Sequence, residues 1–231
     1  MAPDNVRLAT LADVPQMAQV FADGFIDDDV SGRFMHPKRR EHPDDWMRFW
    51  INSMTTHVLE PSALCFVRVD DTEKPMGCMI MQRIGEGAKA RKAAEGYVHQ
   101  LQRQRYAAQH FIENTIWPYK SADQAAIVAF DENWNDIKHY FSGDHAETWM
   151  IEFLCIHSGA QKKGYGLDLI RRAIELCKGE SPPLPLCVIA SEIGDTFYEK
   201  YGFREVGRAN VGTLKDVKGG SLKFYEEHVK S

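Results

Sequence analysis

The chain has 231 residues, enough to bury a sizeable core within one domain, and its 44% apolar and 26% charged content is ordinary for a globular protein. No stretch approaches the roughly 20 consecutive apolar residues that a membrane span requires, so no membrane role is expected. A formal net charge of −5 argues against nucleic acid as the main partner and leans towards small molecules or a cationic acceptor.

The opening MAPDNVRLAT has no basic start followed by an apolar run. No signal peptide is therefore expected, Met1 is read as close to the true start, and a cytoplasmic location is anticipated. Val6-Arg7-Leu8 reads as a first strand. Asp13 can cap the helix that follows, and Pro15 is tolerated in its first turn. Val14, Met17, Phe21 and Phe25 recur at the spacing of one helix face. Asp27-Asp28-Asp29 breaks that pattern, and after His36-Pro37 a second amphipathic helix carries Trp46, Phe49, Trp50 and Met54 on one side. Two strands, Leu64 to Val69 and Gly77 to Met81, are joined by the polar, proline-containing turn Asp70 to Pro75.

From about Gly85 to Asp144 the pattern is helical, and it reads as an insertion within a single domain covering residues 1–231. Trp134, Ile137 and Phe141 share one face, and Gly143 stands where the helix should end. This segment is expected to pack over the sheet and supply part of a pocket. Trp149 to Ile156 is apolar on both faces apart from Glu152, as in a strand buried mid-sheet. A glycine-containing loop follows, then a helix with Leu167, Ile170, Ile174 and Cys177 on one side. Leu186 to Ala190 is a second buried strand, Asp195 to Tyr201 a short helix that Gly202 can cap, and Phe203 starts the next strand. Gly219-Gly220 precedes a last strand near Leu222 to Tyr225. The layout is mixed α/β. The five cysteines are widely spread and mostly sit in apolar runs, the pattern of buried free thiols.

The loop Gln161-Lys162-Lys163-Gly164-Tyr165-Gly166 joins a strand to a helix, where free backbone N–H groups and the helix dipole favour an anion. There is no Gly-Lys-Ser/Thr for a nucleoside triphosphate, and the glycine spacing is not that of a dinucleotide fold. A pyrophosphate of coenzyme A fits better. No metal site is expected, since His36/His42 and His139/His145 are six apart and not on one helical face.

Gln-x-x-Gly-x-Gly between a buried strand and an amphipathic helix resembles the acetyl-CoA-binding motif of the GNAT N-acetyltransferases. Phe197-Tyr198-Glu199-Lys200-Tyr201-Gly202-Phe203 is similar to the family's second motif, and the two stand in the family's order. Val6 to Thr10 and Asp13-Val14-Pro15 resemble its first strand and helix. The general look is that of the small-molecule branch, puromycin acetyltransferase included. The resemblance implies a mostly antiparallel sheet with splayed central strands, acetyl-CoA as co-substrate, and pantetheine along the backbone of Leu154, Cys155 and Ile156. It further implies phosphates on the amides from Lys162 to Leu167, and Ser191 where many members have an asparagine contacting the cofactor.

Tyr198 falls at the family's general-acid position, and a phenol is protonated at neutral pH. Glu152, the one ionisable group in an otherwise apolar strand, is either a catalytic base or a carboxylate satisfied by a polar neighbour. His157 is the second candidate base, and Tyr201 a lesser acid. Asp27 to Asp29 either meets a cationic amine or is a solvated loop. Cys155 lacks the neighbours that would activate a nucleophile. The expected activity is direct acetyl transfer to a primary amine of a small molecule. A protein or peptide acceptor, a catalytically silent CoA-binding module, and the oligomeric state stay open.

Overall fold

A computed structural model describes residues 5–225, so the reading of Met1 as the true start concerns residues outside the description. Strands β1 (Val6–Leu8), β2 (Ala63–Val69), β3 (Pro75–Ile84), β4 (Thr148–Ile156), β5 (Leu186–Ala190), β6 (Phe203–Arg208) and β7 (Ser221–Tyr225) form one sheet in the order β1-β2-β3-β4-β5-β7-β6. All neighbours are antiparallel except β4 and β5. Helices α1 (Val14–Gly24) and α2 (Pro43–Leu59) precede β2; α3 (Glu86–Ala93), α4 (Tyr97–Ile116) and α5 (Gln124–Ile137) lie between β3 and β4 in sequence. Helix α6 (Tyr165–Gly179) follows β4, and the short α7 (Asp195–Lys200) follows β5.

The two core layers follow from the two-residue alternation of the strands. Cys65, Val67 and Val69 of β2 and Cys78 and Ile80 of β3 pack with Met17 and Phe21 of α1 and Trp46, Trp50 and Met54 of α2. The intervening Phe66, Met79 and Met81 pack with Leu169, Ile170, Ala173 and Cys177 of α6 on the other face. Leu169 and Ala173 thus share the buried side of α6 with Ile170 and Cys177, whereas Leu167 is only half-buried and turns to a cleft. All five cysteines are free and buried.

Strand β4 breaks the alternation once. Trp149 and Ile151 belong to the α6 layer, and strict alternation would send Phe153 and Cys155 there too. Both instead join the α1/α2 layer, while Leu154 and Ile156 side with α6. The switch falls at Glu152: the register with β3 runs Ile80↔Phe153 and then Met81↔Ile151, leaving Glu152 opposite no residue, a β-bulge. Pairing with β5 ends at the same place, at Ile151↔Val188, so β4 and β5 splay from Glu152 onward.

Three details differ from expectation. Burial of β4 on both faces is incomplete: Met150 is already half-buried, and beyond Ile151, where β5 no longer pairs with the strand, Glu152 is exposed and Phe153, Leu154 and Ile156 are half-buried. Gly143 does not end α5, which stops at Ile137 and continues as a 3₁₀ turn, Lys138–Tyr140; Gly143, at φ +59°, opens a later turn. Asp13 stands at the start of α1 but makes no side-chain cap to it. Its carboxylate accepts from Arg7 twice at 2.8 Å and from the N–H and hydroxyl of Thr10.

The Arg7 hydrogen bond is the main cause that lowers the Asp13 carboxyl to about 2 from an ordinary 3.8. Because the folded-state value is depressed, the stabilisation is full above the unfolded value and disappears as pH falls through the folded one. Asp13→Asn should therefore destabilise the protein by about 1–2 kcal/mol at pH 7, the partly exposed Arg7 limiting the effect. Urea midpoints measured from pH 7 down should show a constant gap between parent and variant above pH 4, closing towards about 2.

Candidate functional site

The splay turns one edge of β4 into an unpaired strand edge. His157 N–H donates to Met76 O at 2.8 Å, so residues 155 and 157 direct their main-chain groups to β3. By alternation the amides of Leu154 and Ile156 face the gap, and that of Cys155 does not. Of the three backbone positions expected to hold pantetheine, the geometry thus offers two. The Cys155 side chain points into the α1 layer, its thiol against Val20 O at 3.3 Å, and burial pushes that thiol up to about 12. It is a neutral packing group at physiological pH.

Below this edge, the chain folds back through Gln161 to Gly164 into the N-terminus of α6. Gly164 has φ +88°, and a Cβ built there would meet nothing within 4 Å, so the loop's mouth is open. The first helical bond is Asp168 N–H to Gly164 O at 3.0 Å, which leaves the amides of residues 165–167 directed at the loop without an intrahelical acceptor. A Cβ on Gly166 would come within 3.0 Å of the Phe197 ring, so glycine there lets the loop approach α7. Gln161 reaches back to Ile156 O at 3.4 Å, while Lys162 and Lys163 are exposed. Arg68 of β2 fixes this helix end: it pairs with Asp168 at 2.9 Å and lies 4.1 Å over the Tyr165 ring. The cradle fits an anion of pyrophosphate size.

Across the gap stands α7. Tyr198 is 7% exposed, packs edge-on against Phe197 and Phe203, and makes no hydrogen bond among the described residues. Burial, with the neighbouring Cys155 thiol, raises its phenol above the ordinary 10. Tyr201, the lesser candidate acid, also lines the cleft, beside Phe197. The fully buried Lys223 of β7 holds α7 through Asp195 at 3.1 Å and Glu199 at 2.9 Å. Ser191 lies on the rim, its Oγ accepting from Gly194 N–H at 3.2 Å. Together, the β4 edge, the loop, α6 and α7 enclose a cleft of about 980 Å³.

Glu152 lines this cleft and also a second pocket of about 430 Å³ on the α2 side. Its carboxylate pairs with His57 Nε2 of α2 at 3.2 Å, and His57 Nδ1–H donates to Ser53 O at 2.7 Å. Burial pulls the imidazole down, but the hydrogen bond and charge of Glu152 and the Ser53 carbonyl outweigh it and leave His57 raised above 6.5. With Nδ1 committed to a carbonyl, Nε2 meets a carboxylate favourably only when it carries a proton. Sequence reasoning missed His57: it is 95 residues from Glu152 and on an ordinary amphipathic helix. His157 is used locally, its Nδ1 accepting from Gly159 N–H at 3.1 Å. Nor is the acidic run free. Asp27 is paired with Arg40, Asp29 with Arg33, and Asp28 accepts the amides of Val30 and Ser31.

A model of the acetyltransferase (GNAT) domain matches residues 92–212, more than half of the chain. An acetyltransferase of Stachybotrys chartarum is 22% identical over 226 residues, covering 93% of this chain and 86% of that protein. A Corynebacterium glutamicum structure described as histone acetyltransferase HPA2 and related acetyltransferase superposes with a TM-score of 0.61 at 14% identity, covering 97% of this chain and 96% of the other. Mosquito arylalkylamine N-acetyltransferase like 5b gives 0.53 at 15% identity, covering 95% and 96%. At these identities the two structures bear on the fold alone.

Loop and β4 edge open into the same cleft, so a ligand with both a pyrophosphate and an amide-bearing arm is expected to reach both. Acetyl-CoA and CoA should therefore raise the melting temperature, by mass action on the folded state, and ATP and NAD should not. Gly164→Val, strained at φ +88° and filling the open mouth, should remove the shift in a thermal-denaturation assay. The matched domain model together with the splayed sheet places the chain in the GNAT acetyltransferase family, as an N-acetyltransferase whose co-substrate is acetyl-CoA.

Proposed function

We propose that the protein is of the small-molecule branch and transfers acetyl directly from acetyl-CoA to a primary amine within a ternary complex. The observation that most supports this reading is the position of Glu152. It is the bulge residue at the point of splay, and its carboxylate borders both the cleft that Tyr198 lines and a second pocket suited to another reactant. Bulges re-aim side chains beside active sites, and here one carboxylate gains access to two cavities.

In this reading the gap-facing amides of Leu154 and Ile156 hold the pantetheine arm, and the amides from Lys162 to Leu167 take the phosphates, with Gln161, Lys162, Lys163 and the Ser191 hydroxyl at the rim. An amine with a pKa near 10 arrives mostly protonated and must lose a proton before attack. Glu152 takes it, directly or through water. The amine nitrogen then bonds to the thioester carbon, the C–S bond breaks, and the departing thiolate receives the Tyr198 proton. Burial keeps that phenol protonated, and the same dry surroundings make a thiolate formed beside it more basic.

His57 sets when Glu152 is available. While the imidazole is protonated the carboxylate is engaged in an ion pair and is a poor base. The pair gains capacity for the amine's proton as pH rises through the raised His57 value.

Tyr198→Phe should lower kcat by roughly 10²–10⁴-fold with acetyl-CoA affinity nearly unchanged, measured by thiol release and by calorimetry. For Glu152→Gln, kcat/KM should fall most at neutral pH and recover as pH rises and the free amine fraction grows. A loss constant across pH would make Glu152 a structural or binding group. His57→Gln should move the acid limb of the kcat/KM profile to lower pH, because no imidazolium then has to lose its proton before the carboxylate is available; an unmoved limb would show that the pair does not act as a unit.

A further inference from the structure

We infer that the pocket behind Glu152 is the acceptor site, and that it takes a primary amine carried on an aromatic body. The inference rests on the reading of Glu152 as the base. Glu152 and the cofactor cleft are on one side of it; the pocket, of about 430 Å³, is walled by α2, β3, β4 and α5. That is the size of a small-molecule site.

The lining offers carboxylates that can accept from an ammonium. Glu152 and Glu60 both line the pocket. The Arg83 guanidinium, though it also lines it, is spent on Glu147 and on the carbonyls of Ile84 and Thr148. Lys92 pairs with Glu60 at 3.1 Å and His57 with Glu152 at 3.2 Å, so Glu152 is open to an ammonium once His57 has given up its proton. An ammonium entering here meets Glu152 at the mouth of the β4/β5 gap.

The same lining includes apolar side chains, one of them flat. Trp134 of α5 lines the pocket and is 39% exposed, so its ring is accessible from within it. It is held in place by stacking on Phe141, with centroids 5.0 Å apart and planes 25° from parallel. Ile84 of β3 and Met150 of β4, both half-buried, supply the floor. A fixed indole above an aliphatic floor is complementary to a planar ring, whose offset stacking a straight alkyl chain cannot match.

The test compares kcat/KM for 2-phenylethylamine, propylamine and a lysine-containing peptide in the full chain with saturating acetyl-CoA. The parent should prefer 2-phenylethylamine to propylamine by roughly tenfold or more, the ratio expected when one ring finds a stacking partner. Trp134→Ala should bring that ratio close to one, chiefly through KM for the aromatic amine, and Trp134→Phe should largely retain it. An undiminished acetyl-CoA thermal shift in Trp134→Ala shows that the variant is folded. An unchanged ratio in Trp134→Ala overturns the proposal, as does better turnover of the peptide than of the aromatic amine. Those two outcomes leave the role of Glu152 standing. Full activity of Glu152→Gln on every amine, or turnover of none by the parent, would remove that role and the acceptor site with it.

Discussion

One extra residue in β4 governs both the packing and the site. If β4 kept strict alternation past Ile151, Phe153 and Cys155 would face α6, and Leu154 and Ile156 would face α1 and α2. Both layers would then be misfilled, since Phe153 closes an aromatic group with Phe21, Phe25 and Trp50 at centroid distances of 5.6–5.9 Å. The bulge corrects the parity. It does so at the residue where β5 leaves, so the fold cannot be assembled without also exposing a strand edge and a carboxylate. Unpaired main-chain groups are costly unless water or a ligand satisfies them, and this edge opens into the cleft, where either can reach it.

The parts around this edge are held by few but well-anchored contacts. The N-terminal end of α6 is tied to β2 through Arg68, Asp168 and Tyr165. The six-residue α7 is too short to be stable alone, and the buried Lys223 fixes it to β7 from below. Burial alone would lower the Lys223 ammonium's pKa, yet Glu199 and Asp195 raise it, so the anchor stays charged. Loop and helix are thus presented by a rigid sheet, which gives backbone amides the fixed directions that anion binding needs.

The side of the sheet facing α2 supplies what differs from a bare cofactor fold. His57 gives Glu152 a partner whose proton depends on pH, and α5 brings Trp134 into the lining of the same pocket. Neither belongs to the motifs that mark the cofactor site. Specificity and proton handling are therefore built from elements that surround the shared scaffold, consistent with function residing in sites grafted on folds.

Much of the molecule was legible in the amino-acid sequence because it is encoded locally. Helix faces such as Val14, Met17 and Phe21, the alternation in β2, and the glycines of the Gln161 to Gly166 loop are set by spacing over a few residues, and the cofactor motif reads directly from them. Glu152 stood out for the same reason, as a lone carboxylate in an apolar run. Its surroundings did not. The bulge is a relation between β4 and β3, and the splay one between β4 and β5, so no residue of β4 announces that pairing with β5 ends after Ile151 or that Cys155 turns its amide away. His57 lies 95 residues before Glu152 on a helix whose pattern is that of ordinary packing, and although Trp134 is marked in the sequence as part of a helical face packing over the sheet, nothing there ties it to Glu152. Only the folded chain, by bringing α2 and α5 against the same strand, decides what that carboxylate touches; side-chain neighbours across a core are fixed by the packing of whole elements, which short-range periodicity does not specify.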